Sequence, residues 1–69
     1  MHEFSIVMSI VETAEEKVKE HHAHSVESID LVIGDLAGVD SHALDFAWDS
    51  AVKDTVLQTA KRNIIHIPA

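Results

Sequence analysis

The sequence predicts an α+β fold of two layers, with two helices packed on one face of a small three-stranded sheet in the order β-α-β-α-β. Three observations carry this. Apolar residues recur at helical spacing across residues 4–18 and again across 41–54, and a strictly alternating run occupies 26–34 between them. A second β-prone run, Ile64-Ile65-His66-Ile67, closes the chain. Helices segregated to one face of a sheet give the two layers, and a short strand at the very start completes the expected three.

The first helix is marked by Ile6, Val7, Ile10, Val11, Ala14 and Val18 on one face, with Glu12, Glu15, Glu16 and Lys19 off it. Ser5 is its expected N-cap, although Met8 stands where a capping box would place an acid. Glu12–Glu16 is a like-charge i,i+4 pair and Glu15–Lys19 an attractive one, so the two nearly cancel. The helix is expected to run out in KEHHAHS, where Lys19, His21 and His22 suit the exposed carbonyls of a carboxyl end.

In Val26–Gly34, Ile29, Leu31 and Ile33 share one face and Ser28, Asp30 and Val32 the other, the pattern of a strand with one buried side. The following GDLAGVD has two glycines and no periodicity and reads as a loop. Asp40 or Ser41 then caps a second helix in which Leu44, Ala47, Trp48, Ala51 and Val52 recur through about Asp54. Phe46 falls off that line and is expected at the edge of the core beside Trp48. Asp49–Lys53 is a correctly oriented i,i+4 pair. TVLQTAKRN is ambiguous. In the last strand Ile65 and Ile67 share one side, Ile64 and His66 the other, and Pro68 stops it or confines it to an edge.

At 69 residues the chain is one domain at most, and a chain this short buries only about 60% of its unfolded surface. Small domains lean on disulfides, structural metals or partner chains; without cysteine, disulfides and thiolate zinc sites are both excluded. The formal net charge of −7 opposes phosphate backbones and anionic lipid, which argues against nucleic-acid and membrane partners. No signal-peptide pattern and no apolar run long enough for a span point to a cytoplasmic protein.

The start MHEFSIVMSIVE, the strand end LVIGDLAGVD, the acidic and aromatic ALDFAW and the closing IHIPA together resemble the HypA/HybF family of nickel-insertion metallochaperones. The resemblance covers essentially the whole chain. It implies that residues 1–69 are a nickel-binding domain, since family members continue into a zinc-binding half with paired CxxC motifs and then return a final strand to the first half. With no cysteine here, no zinc is expected. An edge left open by that return strand invites pairing with another chain, so a homodimer formed by strand pairing or exchange is expected.

The resemblance also implies the metal site. In the family the side chain of the second residue and backbone nitrogens at the start bind nickel, which assigns His2, with Met1 and Glu3 contributing through their backbone. Chemistry agrees: the α-amino group of Met1, the His2 amide and the His2 imidazole close adjacent five- and six-membered chelate rings. Planar nitrogen donors suit Ni(II) or Cu(II), and because copper outranks nickel at such sites, selectivity must come from availability and partner. Asp40 occupies the place of a family acid that lies near the site and would orient His2 through a hydrogen bond; taken alone it is a helix cap. The Glu3 carboxylate is left to solvent or to a partner. His21, His22 and His24 form a candidate auxiliary cluster better explained by dipole complementarity, and His42 and His66 are isolated.

The implied function is that of a non-enzymatic carrier delivering Ni(II) during maturation of [NiFe] hydrogenase, and by the same route urease. Its partners would be a HypB-type GTPase, the hydrogenase large subunit and a urease accessory protein. The competing reading is a metal-free interaction module that uses an open sheet edge. An enzyme is disfavoured, with no cysteine nucleophile or Gly-rich phosphate loop, and with Asp40, Ser41 and His42 too close in sequence to define a relay.

Overall fold

The computed structural model describes residues 3–34 and 38–68. Helix α1 spans Glu3–Glu20, strand β1 Ser28–Gly34, helix α2 Ser41–Ala51 and strand β2 Lys61–Ile67. The strands pair in parallel, from Ser28 against Lys61 to Gly34 against Ile67. Among the described residues the sheet therefore has two strands rather than the expected three. The chain is helical from Glu3, so any part of the expected opening strand before it lies outside the described residues. Ser5 is consequently not a cap: it lies inside α1, and its carbonyl accepts a hydrogen bond from the Ser9 hydroxyl at 3.1 Å.

The helical stripes do what their spacing predicts. Val7, Val11 and Ala14 of α1 meet Leu44, Ala47, Trp48 and Ala51 of α2, with Leu31 of β1 closing the core. Val52 and Leu57 complete it. Leu57 is fully buried although it stands in the stretch that has no periodicity, because the chain folds there into successive turns. The Thr55 hydroxyl donates to the Val52 carbonyl at 2.7 Å and accepts from the Leu57 N–H at 3.2 Å, which points Leu57 inward. These turns end α2 at Ala51, three residues before its expected limit. They deliver the chain into β2 at Lys61, earlier than the β-prone run begins.

Phe46 is a correction. It stands 80% exposed on the side of α2 opposite the core stripe, while Trp48 is buried. Trp48 packs beneath the guanidinium of Arg62, 5.2 Å from its ring centroid. Arg62 also donates to Asp45 at 2.6 Å. Through this cluster α2 sits over β2.

Helix α1 lies on the β1 side, and there the layers do not match in width. Packed helices need about 8–10 Å between axes, whereas neighbouring strands are only about 4.8 Å apart. Two helices thus overhang two strands. Under the overhang, between α1 and β1, runs an apolar groove of about 560 Å³ lined by Ile6, Ile10, Thr13, Ala14, Val26 and Ile29. On the other face of the sheet Val32, Ile65 and Ile67 are exposed.

The histidine-rich end of α1 is a structural cap. The His22 N–H donates to the Lys19 carbonyl at 3.2 Å and the Ala23 N–H to the Val18 carbonyl at 2.9 Å, the bond pair of a Schellman motif. His22 occupies the left-handed position of that motif, with φ 55°. A side chain is disfavoured in this conformation and glycine is not. His22→Gly should therefore stabilise the fold by about 0.5–1 kcal/mol, read as a rise in thermal midpoint; an unchanged or lower midpoint would contradict the assigned geometry.

The start of α2 is capped as its sequence suggests. Asp40 has extended φ and ψ of −83° and 116°. Its Oδ1 accepts from the His42 N–H at 2.9 Å and the Ala43 N–H at 3.2 Å. Asp40→Ala should cost about 1 kcal/mol, a fall in thermal midpoint of about 4–8 °C for a chain of this size, whereas Asp40→Asn, whose amide oxygen caps equally well, should keep most of that stability.

Candidate metal-binding amino terminus

Glu3 is the first described residue and opens α1 half-buried. Its carboxylate Oε2 accepts a hydrogen bond from the Asp40 N–H at 3.3 Å. The two residues are 37 positions apart in sequence, and the packing of α1 against α2 brings them together. Asp40 thus takes part in two interactions at once: its backbone N–H is held by Glu3, and its own carboxylate holds the first N–H groups of α2.

The electrostatics of this junction follow from the helices. Each helix N-terminus carries roughly +0.5 of an elementary charge, which on its own would repel a divalent cation. Glu3 in the first turn of α1 and Asp40 at the N-cap of α2 place a carboxylate at each of those ends. The junction is therefore compatible with a cation beside it, and it fixes the residue that directly follows His2.

Of the residues singled out from the sequence, Met1 and His2 lie outside the described residues. Glu3 and Asp40 are brought into contact. The Glu3 carboxylate, left to solvent or a partner by the sequence reading, has the Asp40 N–H as an intramolecular partner. Nothing local in the sequence signals this link, since it depends on how two helices pack.

His21, His22, His24, His42 and His66 are exposed. Among the described residues no group of three or more His, Cys, Asp or Glu side chains is arranged to hold a metal ion. His42 takes part in the cap through its backbone N–H. His66 lies on β2 opposite Ile33. Among the described residues, then, none of these histidines belongs to a donor set.

Comparisons with known proteins bear on the chain as a whole. The family described as hydrogenase/urease nickel incorporation, metallochaperone, HypA matches residues 1–69. The hydrogenase maturation factor HypA of Parabacteroides distasonis is 48% identical over 61 residues, 88% of this chain and 53% of that protein. That of Francisella philomiragia is 44% identical over 66 residues, 96% of this chain and 58% of that protein. The solution structure of the Ni metallochaperone HypA from Helicobacter pylori superposes with a TM-score of 0.87 at 28% identity, covering 97% of this chain and 58% of that one. The chain spans just over half the length of these relatives. Matched along its full length by the family and sharing its fold and up to nearly half its residues with curated members, the chain belongs to the HypA family of hydrogenase/urease nickel-incorporation metallochaperones.

Proposed function

We propose that residues 1–69 are a nickel-binding domain that takes up Ni(II) at its amino terminus and hands it on during maturation of [NiFe] hydrogenase, with urease as a second client. The single observation that supports this most is the Glu3–Asp40 junction, which anchors the residue next to His2 and sets carboxylates at two helix N-termini. His2 supplies the imidazole, Met1 the α-amino nitrogen, and the backbone at His2 and Glu3 the amide nitrogens. Asp40 acts behind the donors by holding the peptide that leads to them. The role is carriage, not catalysis, and it is cytoplasmic; no helix among the described residues is long and apolar enough to cross a membrane.

The partners in this reading are a HypB-type GTPase, the hydrogenase large subunit and a urease accessory protein. The acidic balance of the chain favours encounter with basic surfaces. Zinc has no cysteine site in these residues. The groove under α1 lies beside β1, whose other edge has no partner strand among the described residues. Self-association at that edge would accordingly run through an exchanged strand, because symmetric pairing of two β1 edges would bring two copies of α1 closer than helix axes allow.

Nickel titration by calorimetry, on protein with its native amino terminus, tests the site. Wild type should bind one Ni(II), whereas a version extended by a few residues before Met1, and His2→Ala, should each lose that binding with thermal stability unchanged. Nickel bound equally well by the extended protein would end the reading. Failure of every form to bind would leave the interaction module that uses the open sheet edge.

Affinity should also depend on pH in a defined direction. An α-amino group, an amide and an imidazole must each lose a proton to bind metal. Nickel affinity should therefore fall as pH drops through the ordinary amine and imidazole range, about 8 to 6.5. A titration series across that range with constant affinity would point to carboxylate donors instead.

A further inference from the structure

Parallel sheets are ordinarily covered on both faces, and among the described residues only one face of this sheet is. The composition of the other follows from the register. Leu31 and Ile64 pack toward the helices, so Val32 and Ile65, which stand opposite each other, turn away, as do Gly34 and Ile67. Val32 is 60% exposed, Ile65 47% and Ile67 52%. These three side chains are neighbours on one surface and occupy the carboxyl-terminal half of the face. The amino-terminal half is polar, with Ser28 beside Lys61 and Asp30 beside Asn63; the Asn63 amide donates to Asp30 at 3.0 Å.

Two features of this face select its occupant. The chain carries −7 overall, yet the strand residues on this face bring one acid, Asp30, and one base, Lys61. Two copies can therefore approach here without the repulsion that the net charge imposes in general, whereas anionic lipid is still repelled. The second feature is shape. Ile67 stands beside Gly34, where a side-chain carbon would meet no atom within 4 Å. A twofold axis along the strands lays β1 of one copy over β2 of the other at the same level. Val32 then meets Ile65, Ile67 fills the gap over Gly34, and each contact occurs twice. Asp30 of each copy lies one step along the strand from Lys61 of the other. A twofold axis across the strands would instead set apolar halves on polar ones.

We propose that the outer face of the sheet packs against the same face of a second copy of this chain, strands running in the same direction, through Val32, Ile65, Ile67 and the gap over Gly34. Two strands of seven residues present a face of about 23 by 10 Å. That is well below a standard interface, so the pair is weak and exchanges rapidly. It leaves the groove under α1 and the free edge of β1 open, which separates it from strand exchange there. It does not rest on the nickel reading. Ile6 lines one cavity with Ile33 and Val39, and Lys17 another with Val26, so α1 starts at the carboxyl end of the strands. The two Glu3–Asp40 junctions of the pair consequently face the same way.

Sedimentation velocity on the metal-free chain with its native terminus, from low micromolar to millimolar concentration, tests the proposal. The average mass should rise from 7.6 kDa toward twice that value. Ile65→Thr, which keeps a strand-forming residue, and Gly34→Gln, which fills the gap with a polar chain, should each move the midpoint at least fivefold upward in concentration. The far-ultraviolet circular dichroism of both should remain that of wild type. Nitroxides on Ser28→Cys should lie closer together than one strand length, and a longer separation would overturn the parallel arrangement. A constant mass at every concentration would overturn the pair itself. Association unmoved by both variants would also overturn it and assign self-association to strand exchange at the β1 edge. Binding to phosphatidylcholine vesicles that Ile65→Thr abolishes, without self-association, would overturn it in favour of lipid.

Discussion

The hydrogen bond from the Asp40 N–H to Glu3 is the interaction that ties the first turn of this molecule to the rest of the fold. It joins the first turn of α1 to the cap of α2, and the cap in turn fixes where α2 starts. Position along the chain explains its leverage. A terminus normally frays unless something ties it down, and here the tie lies at Glu3, next in sequence to the proposed donor His2. The bond is at the surface and modest in strength, so it works by restricting the path of the backbone, not by stabilising the fold as a whole.

The scaffold behind that junction is built from an imbalance between layers. Two helices cover more width than two parallel strands offer, and parallel sheets are ordinarily covered on both faces. This sheet has one face against the helices and another on which Val32, Ile65 and Ile67 are exposed. The groove under α1 follows from a sheet narrower than the layer it supports. The matched region is 53% of one curated relative, and it is on these surfaces that additional chain or a partner would gain the most apolar burial.

Much of this architecture was readable from residues alone because it rests on periodicity. The stripes of α1 and α2, the alternation of Ile29, Leu31 and Ile33, and the cap at Asp40 each follow from a local rule. The errors arose where tertiary packing overrides such rules. Ser5 looked like a cap, yet the helix extends back to Glu3, where the contact with Asp40 holds its first turn. Phe46 looked like core because it is aromatic, yet its position on the helix turns it outward. Leu57 had no periodic signal, and its burial follows from a turn organised by the Thr55 hydroxyl. At the candidate site, the helix cap at Asp40 was legible, whereas the Glu3–Asp40 contact was not, because it depends on how two helices pack.

How the fold and the metal relate follows from the composition of the core. Every buried residue among those described is apolar, with no buried polar or charged side chain. No described residue of the core stands ready to ligate a metal, so folding does not consume the binding free energy of an ion as it does in a zinc finger. The donors proposed at Met1, His2 and Glu3 take no part in the apolar stripes. On that proposal, loading and release would proceed without unfolding, and proton exchange at the donor nitrogens would control them. A site whose occupancy leaves the scaffold unchanged is suited to an ion in transit, and a neighbouring partner that competes for one of those nitrogens is enough to take it away.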